Sequence, residues 1–210
     1  MQSNDPGAGL GFSINDQMRP LAMLLFVRQA WGLSGDLDLP PLDPAPDPGA
    51  SARPPGTEAS VWNERWHRLW LDAWEVETSG EFMVPGRPTQ LHTGRGPGME
   101  DGRPAPGCWT AAYGEDGIDM QRFEAWDQEL DRRRGAFLGT SFRDPRFMQA
   151  IAQGLSEFIL LPCAGYYLHR LGPHQVVLSW QTMADPGLRS RAIDEWLRGG
   201  GNPDPDGALP

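Results

Sequence analysis

Lysine is absent from this chain of 210 residues, and all 18 basic residues are arginine. A chain without a side-chain amine cannot form a Schiff base with a carbonyl substrate or with pyridoxal phosphate. It also cannot supply the lysine of a P-loop or of a protein kinase. The sequence therefore excludes these classes of enzyme. The same gap, together with abundant Ala, Gly, Pro and Arg, indicates a G+C-rich bacterial or phage coding sequence.

Cysteine is scarce as well, with Cys108 and Cys163 as the two examples. One potential pair makes no disulfide framework, so we expect a reducing, cytoplasmic environment. Residues 1–12 contain neither a basic residue nor an apolar core, which argues against a secretory signal. The longest apolar run, residues 21–27, is much shorter than the roughly 20 residues of a membrane span. We therefore predict a soluble cytoplasmic protein with no membrane partner.

Recognisable catalytic and metal-binding motifs are also missing. The chain has no Gly-x-Ser-x-Gly, no His-Glu-x-x-His and no Gly-x-Gly-x-x-Gly following a strand. Its cysteines and histidines lack the paired spacing that holds zinc. The sequence therefore predicts no metal and no cofactor, and it identifies no catalytic residue.

Positive charge is in short supply overall, because 28 acidic residues leave a net charge of −10. Nucleic-acid binding needs a cationic surface that releases counterions from the phosphates. A nucleic-acid partner is therefore not expected, and an acidic surface is better suited to a basic protein or simply to solubility.

Tryptophan, in contrast, is abundant, and Trp62, Trp66, Trp70 and Trp74 follow one another at intervals of four. Since an α-helix turns 100° per residue, this spacing places the four indole rings in one broad apolar stripe. Three readings remain open: burial against other helices, a face for a partner protein, or stacking of sugar rings or bases. His67 is expected at the edge of the stripe, in solvent, as a polar rim residue.

The remaining helices and strands are predicted from apolar periodicity, capping residues and β-branched or aromatic runs. The predicted helices cover 16–31, 58–77, 120–134, 145–160 and 186–198; the predicted strands cover 163–170 and 175–182, with short strands at 81–84 and 108–113. The fold class is therefore α+β and mainly helical, with four to five helices packed around the tryptophan-rich helix and one C-terminal β-hairpin.

Gly and Pro are concentrated in stretches that divide the chain. We predict a flexible N-terminus at 1–13, a single domain over 14–198 and a flexible tail at 199–210. A Pro/Asp-rich linker at 34–56 and a Gly/Pro-rich loop at 85–107 interrupt the domain.

For function, the hypothesis preferred on charge and aromatic content is a small intracellular binding protein of the immunity, inhibitor or adaptor type. It would meet a basic partner through the four tryptophans and His67, with Tyr167 and His169 as further weak candidates. The alternative is an enzyme of unfamiliar type, with a pocket closed by the loop at 85–107. Cys108, His92 or Cys163 would then contribute.

Overall fold

The computed structural model describes residues 13–15, 19–33, 39–78, 108–137 and 144–199, with the backbone alone for residues 13–15, 75–78 and 134–137. The predicted strand at 81–84, the loop at 85–107 and the tail beyond residue 199 lie outside the described residues.

The architecture is mixed α+β, which confirms the predicted class, but the described residues contain seven helices rather than the predicted four or five. In chain order the described elements are β1 (Ser13–Asn15), α1 (Arg19–Trp31), α2 (Ala59–Thr78), α3 (Trp109–Tyr113), α4 (Met120–Phe137), α5 (Pro145–Ala152), β2 (Glu157–Leu161), β3 (Leu168–Arg170), β4 (Gln175–Ser179), α6 (Trp180–Ala184) and α7 (Pro186–Arg198).

The strands form one sheet in the order β1-β2-β4-β3. β1 and β4 both run parallel to β2, and β3 is antiparallel to β4. The last four residues of β2 and of β4 are buried, so side chains on both faces of these strands are covered. Burial on both faces is typical of parallel strands, which read as continuous apolar runs rather than alternating ones.

That property explains the largest error of the sequence-based prediction, a helix over residues 145–160. The helix begins as predicted, because the Asp144 side chain accepts a hydrogen bond from the Arg146 amide and Pro145 occupies the first turn. It ends at Ala152, however, and Gly154 adopts a φ of +105° that terminates it. The following apolar run is a central strand, because a short apolar run is compatible with either period.

Three smaller predictions also differ from the structure. The strand predicted at 163–170 is reduced to its last three residues, and the strand at 175–182 ends at Ser179. The Ser179 side chain accepts a hydrogen bond from the Thr182 amide and thereby starts α6. The strand predicted at 108–113 is instead the short helix α3.

Helix α1 is the innermost helix of the fold. All side chains from residue 21 to residue 27 are buried, and α1 contacts α2, α3 and α4. The indole Nε1 of Trp66 on α2 donates a hydrogen bond of 2.7 Å to the carbonyl of Leu24. A helix that is apolar on every side is stable in water only when other elements surround it.

Residues 39–56, which we call the strap, join the helical elements to the sheet. In the first half of the strap, the Asp43 amide donates a hydrogen bond of 2.9 Å to the carbonyl of Pro162, the residue that follows β2. The indole Nε1 of Trp126 on α4 donates to the carbonyl of Pro44 at 2.7 Å. A proline-rich segment forms no ladder of its own, so these bonds to other elements hold it in place.

The second half of the strap lies against the start of α4. The Ala52 amide donates to the Gly117 carbonyl at 3.0 Å, and the Ala50 amide donates to the Asp119 carboxylate at 3.1 Å. Asp119 also caps α4 by accepting from the Arg122 amide at 3.2 Å. The hydrogen bond from Ala50, followed by that from Arg122, lowers the pKa of Asp119.

The close approach of the strap to Gly117 yields a stability prediction. A Cβ at Gly117 would lie 2.3 Å from the Ala52 carbonyl oxygen, at a φ of +76°. Gly117→Ala should therefore lower the free energy of unfolding by about 1–3 kcal/mol through overpacking, in addition to the left-handed strain. Denaturant unfolding followed by tryptophan fluorescence measures this change.

Gly32→Ala is the matched control, because Gly32 has a φ of +60° and no atom within 4 Å of the added Cβ. Gly32→Ala therefore introduces the left-handed backbone strain but no steric overlap with another segment. Equal losses of unfolding free energy in the two variants would show that the strap does not press on this turn.

Candidate functional site

The four tryptophans proposed as a binding face lie in the core. Trp62 is 6% exposed, and Trp66, Trp70 and Trp74 are 0% exposed. The rings of Trp66 and Trp70 stack at 5.2 Å, and the Trp74 ring meets that of Trp70 edge-on at 5.7 Å. The last three rings therefore present no face to solvent, and only Trp62 reaches the edge of the core.

The other predicted binding residues lie on different elements. His67 is exposed on α2, whereas Tyr167 and His169 are half-buried at the strand β3. His169 is opposite Val177 in the antiparallel pairing of β3 with β4. The described fold thus divides the proposed residues between a helix surface and the edge of the sheet.

A network of hydroxyl groups lies where β4 ends. The buried Ser179 hydroxyl donates to the Gly165 carbonyl at 2.6 Å, and the Tyr167 amide donates to the Thr182 hydroxyl at 2.9 Å. The Gln181 side chain accepts from the Gly165 amide at 2.5 Å. These side chains fix the chain between β2 and β3 onto α6, which is a structural role.

The two cysteines have different surroundings. Cys163 is 1% exposed, and burial raises the pKa of its thiol to about 12, although the charge of Arg28 opposes the shift. Cys108 is half-buried, and its sulfur lies 3.6 Å from the Thr110 hydroxyl. Since the thiolate is the nucleophile, Cys163 is inert at neutral pH. His92, the third residue of the enzyme hypothesis, lies outside the described residues.

The open clefts on the surface of the described chain include two that border the strap. One, of about 470 Å³, separates the end of α1 from the start of the strap; its lining residues are Arg28, Gln29, Gly32, Leu33, Leu39, Pro40, Pro41 and Leu42. The other, of about 520 Å³, is formed by residues 53–59, which lead into α2. Neither cleft brings a cysteine or histidine to a carboxylate, so neither contains a nucleophile with its base.

Within the described ranges, no group of three or more His, Cys, Asp or Glu side chains is arranged to hold a metal ion. No described helix combines the length and apolar character needed to cross a bilayer.

Beside the second cleft lies an arrangement that we call the Trp62 corner: Trp62, Arg65 and Tyr113. The rings of Trp62 and Tyr113 are nearly perpendicular, at 85°, with centroids 5.8 Å apart. The guanidinium carbon of Arg65 lies 4.6 Å from the Trp62 centroid and 5.2 Å from the Tyr113 centroid. Both distances fall within the range of cation–π attraction, so two aromatic walls hold one cation.

The walls of the corner are rigid because more aromatic rings support them. Trp109 lies 5.9 Å from Trp62 and 5.1 Å from Tyr113, and Trp31 meets Trp62 edge-on at 5.1 Å. The indole Nε1 of Trp31 donates to the Gly117 carbonyl at 2.9 Å. The cluster thus joins α1, α2, α3 and the turn before α4.

Three exposed carboxylates lie close in sequence to the two rings of the corner. Glu58 accepts a backbone bond from Trp62 one turn later, and Glu115 and Asp116 follow Tyr113 by two and three residues. In the described part of the chain these carboxylates have no ion-pair partner, whereas Glu124, Asp127 and Glu129 on α4 are paired with arginine. The segments that supply the two rings therefore carry carboxylates that no described arginine pairs with.

Of this arrangement, sequence analysis identified Trp62 but not Arg65 or Tyr113. Arg65 follows Trp62 by three residues on a helix, a spacing at which side chains meet, so this contact was detectable in the sequence. Tyr113 comes from another helix, and only the tertiary fold brings it to the corner.

No protein-family model, curated protein or solved structure matches this chain significantly.

The burial of Cys163 predicts unequal thiol reactivity. At pH 8 we expect Cys108 to react with an aromatic disulfide reagent and Cys163 to react at least 100-fold more slowly, because its thiol stays protonated and covered. Absorbance should report one fast thiol in the native protein and two in denaturant.

A Cys108→Ser variant isolates the second thiol, and Cys163→Ala provides the matched control that retains the fast one. Rapid labelling of the folded Cys108→Ser variant would contradict the prediction that Cys163 is unreactive in the native protein.

Proposed function

We propose that this protein is a small cytoplasmic binding module that recognises a basic protein, rather than nucleic acid, through the Trp62 corner and its carboxylates. An immunity, inhibitor or adaptor role fits such a module.

The observation that carries this proposal is the uneven distribution of charge along the chain. Residues 144–199, which contain most of the sheet, carry five acidic and five basic side chains, whereas residues 1–143 carry 21 acidic and 13 basic. Of the net charge of −10, residues 1–143 account for −8 and residues 200–210 for −2, so the excess negative charge lies outside residues 144–199. A potential of one sign on one part of a protein steers a partner of opposite sign.

The shortage of exposed apolar surface points the same way. Among the described residues, the exposed large hydrophobic side chains are Val61 and Met148, at 37% and 44%. Two scattered side chains do not form a docking patch. Recognition by this surface would therefore depend on charge and on the aromatic corner.

Binding of a fluorescein-labelled octa-arginine peptide tests the proposal, with anisotropy measured at several salt concentrations. Replacing the corner carboxylates, with Glu58→Gln, Glu115→Gln and Asp116→Asn combined, should weaken binding roughly tenfold at low salt. Each exposed ion pair contributes about 0.2–1 kcal/mol, and salt should reduce the difference.

The matched control removes three charges from the balanced region, by combining Glu157→Gln, Asp194→Asn and Glu195→Gln. These amides keep an acceptor oxygen for Gln175, Arg146 and Tyr166, their present partners. An equal effect of the two triple variants would show that overall charge, not the corner, attracts the peptide and would overturn the proposal.

A further inference from the structure

We infer that the rings of Trp62 and Tyr113 in the Trp62 corner form a binding site, which we call the seat, for a cationic side chain of the partner. In the free protein, Arg65 occupies the seat as an intramolecular substitute. The inference rests on the proposed function, since it specifies how a basic partner is recognised. The ligand class is a guanidinium group, bound through its charge and its flat face.

The geometry of the seat is that of a cation held between two ring faces. The Arg65 guanidinium carbon lies within 6 Å of the centroids of Trp62 and Tyr113, which stand perpendicular to each other. Trp62 is 6% exposed, whereas Arg65 is half-buried, so part of the Arg65 side chain still reaches solvent.

The occupant is held weakly compared with the other arginines of the helical region. Arg19 pairs with Glu124 and Asp127, and Arg133 pairs with Asp43 and Glu129. Arg65 forms no ion pair with any described carboxylate. The two rings are thus the contacts that hold its guanidinium in the described structure.

A weak local contact makes displacement feasible. An exposed cation–π contact has an equilibrium constant of about 2 to 5, so a competing cation should bind the wild-type seat about three- to sixfold less tightly than a vacant one. The partner would gain from the charges of Glu58 and Glu115, which are near Trp62 and Tyr113 in the sequence, while Arg65 would be released to solvent.

The test is a titration of the full chain with N-methylguanidinium, with N-methylurea as the neutral probe of the same shape. The indole N–H resonance of Trp62, assigned by its loss in Trp62→Phe, reports occupancy of the seat. In Arg65→Ala we expect a saturable shift with N-methylguanidinium and none with N-methylurea. In the wild-type protein the midpoint should lie about three- to sixfold higher.

Arg65→Met provides a second vacated seat, because its unbranched side chain preserves packing on the rings if Arg65→Ala perturbs the fold. Arg53→Ala is the matched charge control, since Arg53 is exposed in the adjoining cleft and contacts neither ring in the structure. It should leave the wild-type midpoint within a factor of about two. Equal responses to the two probes, or equal midpoints in Arg65→Ala and the wild type, would overturn the inference.

The small probe also separates this inference from the proposed function. If the seat binds N-methylguanidinium but the corner carboxylates do not influence octa-arginine binding, the seat stands and the proposed partner class fails. If the carboxylates matter but the seat is not selective for the cation, recognition is by charge alone.

Discussion

The burial of α1 on all sides is the constraint on which the other elements depend. Its apolar residues leave no face for solvent, so α2, α3 and α4 must surround it, and tryptophan supplies the area that this requires. A fully buried large side chain contributes roughly 1.5–3 kcal/mol, but an indole brings a donor that needs an acceptor. Trp66 meets this need at the Leu24 carbonyl, and Trp31 meets it at Gly117.

The strap connects the helical elements to the small sheet. Its prolines have backbone carbonyls that can accept hydrogen bonds but no amide that must be paired. The Trp126 indole donates to the Pro44 carbonyl, and the Ala164 amide donates to the Pro41 carbonyl. The same segment positions the N-cap of α4 through Asp119. A stretch whose composition predicts a linker or a surface wrap therefore stabilises the contact between the helical elements and the sheet.

The proposed recognition surface is a consequence of this packing. Trp62 lies at the end of the buried indole series, where core packing gives way to solvent, and Tyr113 completes a right-angled wall against it. Most carboxylates on α4 are paired with arginine, whereas those near Trp62 and Tyr113 in the sequence have no ion-pair partner among the described residues. The deeper rings are shielded, so recognition of a cation would involve only the outermost indole.

Local signals in the sequence determined the mixed α+β class, the helices at the tryptophan repeat and at Asp185-Pro186, and the Asp185 cap that begins the second of these helices. They also identified Trp62. Tertiary structure decided that residues 157–161 form a strand, that β1 pairs with β2, and that Tyr113 meets Arg65. The physical reason is sequence distance: caps and periodicity act within a few residues, whereas strand pairing and an aromatic corner depend on partners that only the folded chain brings together.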